Sequence, residues 1–108
     1  MNQTVPQVSP DDVRSAIDAG KNIILLDVRS VGEYSRGKIS NSINLPVDEI
    51  PGKIESVIPD KNAVVYVYCL SGSRSVYAVD VMSKLGYKKV YDMPNGLLAW
   101  RVKGYPTV

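Results

Sequence analysis

The chain has 108 residues, 13 lysines and arginines against 11 aspartates and glutamates for a formal net charge of +2, and a hydrophobic fraction of 44%. These values fit one domain spanning residues 1–108 that buries roughly two thirds of its unfolded surface, and they exclude an intrinsically disordered chain and a nucleic-acid binder dependent on clustered positive charge. With no histidine and a lone cysteine, Cys69, imidazole-assisted nucleophiles, histidine or multi-thiolate metal sites and a disulfide framework are excluded by inventory.

In chain order, Ser9-Pro10-Asp11-Asp12 supplies a cap, a proline for the first turn and early acids, predicting a helix over residues 10–19 that ends at Gly20. The aliphatic run Ile23-Ile24-Leu25-Leu26 predicts a strand covered on both faces, ended by Asp27-Val28-Arg29. Ser30 caps a short helix carrying Glu33 and Tyr34 and closed by Gly37. Residues 39–45 read as extended up to Pro46. Val47, Ile50, Ile54, Val57 and Ile58 then recur at helical spacing in spite of Pro51 and Gly52. The Arg29 and Glu33 side chains, four residues apart, are expected to pair with each other.

Residues 63–68, Ala63-Val64-Val65-Tyr66-Val67-Tyr68, give the strongest strand signal, with Cys69 at its carboxyl end. After the loop of residues 70–75, Val76, Val79, Met82 and Leu85 mark one helical face that Gly86 ends. A short strand over 89–91 and a short helix over 97–102 follow. Strands alternating with helices predict an α/β fold with a mainly parallel central sheet of about five strands, helices on both faces and right-handed crossovers. The amino terminus lacks the basic start and apolar stretch of a targeting segment, and no apolar run approaches the ~20 residues that span a bilayer. A cytoplasmic location with no membrane partner is therefore expected.

In open parallel sheets, ligands bind beyond the carboxyl ends of the strands, where loops lead into helix amino termini. Cys69 occupies such a position. Gly72 permits a turn that a side chain would obstruct, and Ser71, Ser73 and Ser75 are small enough for successive N–H groups to converge on one anion. Favouring any thiolate by two pKa units takes about 2.7 kcal/mol, while each hydrogen bond to a charged group contributes about 1.5–3 kcal/mol. Two or three loop amides would suffice without a histidine. Arg74 adds a permanent positive charge that either faces the anion or braces the loop. Asp27, at a strand end, either positions the active loop or caps the next turn.

The ordered segments Leu25-Leu26-Asp27-Val28-Arg29, Glu33-Tyr34, Gly37-Lys38-Ile39, Ser42-Ile43-Asn44-Leu45-Pro46, Cys69-Leu70-Ser71-Gly72-Ser73-Arg74-Ser75, Gly86-Tyr87, Val90-Tyr91, Gly96, Trp100 and Gly104-Tyr105-Pro106 resemble a single-domain rhodanese. The resemblance covers nearly the whole chain. It implies a thiosulfate sulfurtransferase in which Cys69 takes the outer sulfur of a small anionic donor as a persulfide, then yields it to cyanide or to a thiol, a thioredoxin-like protein among the acceptors. No cofactor is implied. Cys69 and Arg74 would be catalytic, Leu70, Ser71, Gly72, Ser73 and Ser75 would bind substrate, and Asp27 and Arg29 would support them.

Departures from the pattern are Lys38, where histidine is common, and Asn95-Gly96 in place of a glycine pair, which asparagine suits because it enters left-handed conformations. Leu70, Ser71 and Ser73 are neutral where thiosulfate enzymes of this kind often carry cations, so another persulfide is a second candidate donor. Phosphatases and arsenate reductases of related fold place one residue more between cysteine and arginine than the four here, Leu70 to Ser73, and the smaller ring suits a single sulfur atom. A persulfide carrier serving a protein partner and a catalytically silent interaction module are the remaining alternatives, the latter weakened by the presence of Cys69.

Overall fold

The computed structural model describes residues 4–108. Ser9 caps the first helix, α1 (Pro10–Asp18), by accepting the Asp12 N–H at 3.0 Å, with Pro10 in the first turn. Strand β1 (Ile24–Asp27) and the short helix α2 (Val31–Ser35) follow. A capping box in which Ser30 and Glu33 each accept the other's N–H opens α2. Strand β2 is only Ile43–Asn44. The extended segment expected over residues 39–45 is cut short because Asn41 sits at φ 67° and turns the chain.

Residues Val47–Glu49 form a 3-10 turn that leads into α3 (Ile50–Val57), with Pro51 tolerated in its first turn. Then come β3 (Val64–Tyr68), α4 (Ser73–Lys84), β4 (Lys89–Asp92) and α5 (Gly96–Val102). The sheet is parallel throughout and ordered β2-β1-β3-β4. It has four strands among the described residues, not about five. A single parallel bridge from Gln7 to Asp92 occupies the outer side of β4, and the pairing stops there because Pro6 lacks an N–H and α1 starts at Pro10.

The alternation of side chains along β1 and β3 divides the core. Leu26, Val65, Val67 and Cys69 face one layer, packed with Ile50 and Ile54 of α3 and Ala78, Val79 and Met82 of α4. Leu25 and Tyr68 face the other, with Val13 of α1 and Leu97 and Trp100 of α5. Helices therefore cover both faces, as expected. Trp100 packs edge-to-face on Tyr105 at 5.0 Å and donates its indole N–H to Pro106 O. No helix among the described residues is long and apolar enough to cross a membrane.

Tyr68 links the central strand to the turn after α2. Its buried hydroxyl accepts the Ile39 N–H at 3.1 Å and donates to Ser42 Oγ at 3.0 Å. Burial pushes its pKa well above the usual tyrosine value. Removing the oxygen leaves a buried N–H without a partner, at a cost of about 1–3 kcal/mol. Tyr68→Phe should lower the urea unfolding free energy by that amount with an unchanged m-value; a variant as stable as wild type would show that the hydroxyl contributes no net stabilisation.

Candidate active site around Cys69

Cys69 follows the last residue of the central strand β3, and its side chain is 1% exposed. Gly72, at φ 119°, reverses the chain and brings its own N–H to 3.0 Å from Cys69 Sγ. The thiol donates to Ser75 Oγ at 3.4 Å. One loop amide therefore reaches the sulfur, where two or three were expected. α4 begins at Ser73, so the N–H groups of Ser73, Arg74 and Ser75 open a helix and lack intrahelical partners.

The early start of α4 revises the reading of residues 70–75 as a continuous loop. Leu70, Ser71 and Gly72 are loop; Ser73, Arg74 and Ser75 form the first helical turn. Ser71 and Ser73 are exposed and Leu70 half-buried. Ser75 is 0% exposed and sits against Cys69 and Asp92 instead of lining the open surface. The loop is held from behind by α5, whose Leu97 and Leu98 N–H groups donate to Cys69 O at 2.9 Å and Leu70 O at 3.1 Å. Gly96 makes this approach possible, since a Cβ there would lie 2.2 Å from Cys69 O. Asn95 precedes it in the left-handed region at φ 59°.

Two ion pairs frame the site, and neither is the pair expected from sequence. Arg29 binds Asp27, with Nη2 2.7 Å from Oδ2 and both side chains buried. Asp27 also accepts the Arg29 N–H at 2.9 Å, so it fixes the turn after β1; among the described hydrogen bonds, none joins it to the Cys69 loop. Arg29 reaches Glu33 only at the main-chain oxygen, 3.4 Å away. The Glu33 carboxylate instead takes both Arg74 Nη1 at 2.6 Å and Nη2 at 3.0 Å. Arg74 thereby braces the first turn of α4 against α2. The expectation of an Arg29–Glu33 side-chain pair fails because Arg29 precedes α2, and the four-residue rule applies only along a helix.

The sequence matches the family model described as a rhodanese-like domain over residues 9–103. The chain belongs to the rhodanese-like family. A protein of Allochromatium vinosum named as a sulfurtransferase is 28% identical over 104 residues, covering 96% of this chain and 95% of its own length. A Bacillus subtilis relative with a sulfur-carrier name, YrkF, is 29% identical over 100 residues, covering 93% of this chain; the chain spans only 53% of that protein. Among solved structures, a rhodanese-related protein from Thermoplasma volcanium matches with a TM-score of 0.86 and 32% identity, over 96% of this chain and 98% of that one.

Around Cys69, sequence reasoning missed Glu33 as the partner of Arg74 and missed Asp92 altogether. The Ser30–Glu33 capping spacing placed Glu33 at the start of a helix, but nothing local signalled a partner 41 residues away. Hydrogen bonding to Arg74 pulls the Glu33 carboxyl down to about 2 from an ordinary 4.5. A depressed carboxyl contributes stability that is present above its unfolded value and is lost as pH falls from about 4.5 toward about 2. Side-chain exposures of 24% for Glu33 and 35% for Arg74 leave the pair open to screening and limit its contribution to about 1 kcal/mol. Unfolding measured across that acid interval should show wild type losing about 1 kcal/mol more than Glu33→Gln; parallel losses would mean that the bridge is energetically silent.

Proposed function

We propose that this protein is a sulfurtransferase in which Cys69 carries a sulfane sulfur as a persulfide. The observation that supports this reading is the seat of the sulfur atom: it lies at the carboxyl end of β3, 3.0 Å from the Gly72 N–H, beside the unpartnered amides that open α4. Cys69 thiolate attacks the outer sulfur of the donor. With thiosulfate, the S–S bond breaks and sulfite leaves with the electron pair, so Cys69 retains one extra sulfur. Cyanide or a thiolate then attacks that terminal sulfur and releases the Cys69 thiolate. The negative terminal sulfur is the atom that the Gly72, Ser73, Arg74 and Ser75 N–H groups stabilise, the same logic as an oxyanion hole. The chemistry requires no histidine and no cofactor.

An anionic donor is favoured by charge on the rim. Leu70, Ser71 and Ser73 are neutral, but a hollow of about 270 Å³ beside Leu70 is lined by Arg29, Arg36, Arg101 and Glu33. Arg29 and Glu33 are engaged in the ion pairs described above. Arg36 and Arg101 are exposed and have no ion-pair partner among the described residues, which leaves two cations to attract thiosulfate or a small persulfide. Arg74, tied to Glu33, holds the loop and adds its charge near Cys69. Four residues between Cys69 and Arg74 make a ring suited to a sulfur atom, and this disfavours the phosphatase alternative. The near-complete burial of Cys69 favours a second reading, a carrier whose cup opens for a protein such as a thioredoxin-like acceptor. A lone thiol of this kind suits a reducing, cytoplasmic setting.

Incubation with thiosulfate should add the mass of one sulfur atom to the peptide containing Cys69, and thiosulfate-to-cyanide turnover should vanish in Cys69→Ser. Arg74→Ala should lower turnover about tenfold or more, a loss of about 1.4 kcal/mol of transition-state stabilisation. A folded wild-type protein that takes no sulfur from thiosulfate or from a small persulfide contradicts the reading. Uptake without turnover to cyanide or small thiols selects the carrier.

A further inference from the structure

The hydrogen-bond chain that starts at Cys69 ends on a buried acid. Ser75 Oγ, which accepts the thiol at 3.4 Å, itself donates to Asp92 Oδ1 at 2.5 Å. Ser75 and Asp92 are 0% and 1% exposed. Gly72 O, 3.1 Å from Ser75 Oγ, is the competing acceptor for the same proton. The carboxylate is nearer and charged, and hydrogen bonds to ionised acceptors are about twice as strong as neutral ones, so the hydroxyl proton is directed to Asp92.

Buried carboxylates are ordinarily paired. Among the described residues, none of the ion pairs reaches Asp92, and Ser75 is the side chain that hydrogen-bonds to its carboxylate. Its main chain is fixed by the segment before α1, donating to Pro6 O at 2.8 Å and accepting from Val8 N–H at 2.9 Å. Of the charged groups on neighbouring elements, Arg74 of α4 pairs with Glu33 of α2, Asp80 with Lys84 on α4, and Asp27 at the end of β1 with Arg29; Lys89 of β4 is exposed. The turn Met93-Pro94-Asn95 and the start of α5 carry no charge. Burial pushes the Asp92 carboxyl above its ordinary value, with the Ser75 hydrogen bond pulling the other way. A carboxylate in this position takes up a proton more readily than an exposed one.

We propose that Asp92 receives, through Ser75, the proton that Cys69 releases when its thiolate forms, an inference that rests on Cys69 being the reactive thiol. In the transfer the S–H bond breaks and leaves its electron pair on Sγ. The proton joins Ser75 Oγ, and the proton that Ser75 carried passes to Asp92 Oδ1. Nothing is oxidised or reduced, and the net charge of the three groups is unchanged. The hydrogen bonds reverse without being lost: Asp92 then donates to Ser75, and Ser75 donates to the thiolate. Asp92 is a positioning residue that acts through Ser75 and touches no substrate. Thiol with carboxylate and thiolate with carboxylic acid become two forms of one singly protonated set, so the reactive fraction is independent of pH wherever the set holds a single proton.

Alkylation of Cys69 by iodoacetamide, followed by mass spectrometry from about pH 5 to about pH 8, reads this directly. The wild-type rate should hold a plateau over the lower part of that range. In Asp92→Asn, which preserves shape, the proton must leave for solvent, and the rate should fall about tenfold per pH unit. Ser75→Ala should lose the plateau in the same way. A wild-type rate that falls about tenfold per unit, no wild-type alkylation, or a plateau retained in either variant, even at a uniformly lower rate, overturns the relay. Alkylation needs no sulfur donor. A lost plateau in a protein that never takes up sulfur therefore sinks the transfer reading alone, and a retained plateau with normal uptake sinks the relay alone.

Discussion

The turn at Gly72 is the constraint from which the site follows. At φ 119° its N–H is returned onto Cys69 Sγ while its backbone becomes the cap of α4. A side chain at this position would be strained by the conformation and would bring a Cβ to 3.2 Å from Asn95 N. Because the turn is so tight, only four residues, Cys69 to Gly72, separate the end of β3 from the start of α4. A hydrogen bond to an ionised sulfur contributes about 1.5–3 kcal/mol. One backbone donor and the Ser75 hydroxyl thus hold the Cys69 sulfur in a chain without histidine.

The charges around the site serve rigidity first. The buried Asp27–Arg29 pair uses its guanidinium three ways, gripping the carboxylate, Gly37 O at 2.7 Å and Glu33 O at 3.4 Å. Such a pair is costly to break, about 3–5 kcal/mol when one partner is removed, because the other is left charged in the interior. Its role is to fix where β1 ends and α2 begins. The Glu33–Arg74 bridge then ties α2 to the first turn of α4, and α5 seals the back of the loop through its two amide contacts. The Cys69 turn is clamped from three sides, while Arg36 and Arg101 have no ion-pair partner among the described residues.

The sequence made the main architecture legible because its signals were local. The apolar run of residues 63–68 marked β3, Cys69 followed that run directly, and Ser9-Pro10 and Ser30 marked helix starts that the structure realises through the serine side chains. What could not be read was settled by contacts between distant segments. Ser75 looked like a loop residue because only the Gly72 turn decides that α4 starts at Ser73. The Arg29–Glu33 pair looked plausible by spacing, but Arg29 lies outside the helix and buried Asp27 is the nearer anion. Asp92 ends an edge strand whose local pattern stops at Tyr91, and its meeting with Ser75 depends on how β4 packs beside β3.

The central claim is that main-chain donors at the start of α4 hold the sulfur that Cys69 carries. Amide proton shifts of a uniformly labelled sample, recorded before and after loading with one sulfur, test it most directly. The account predicts that Gly72, Ser73, Arg74 and Ser75 move together toward stronger hydrogen bonding while the amides of β1 stay in place. A loaded protein in which those four resonances do not respond would contradict it.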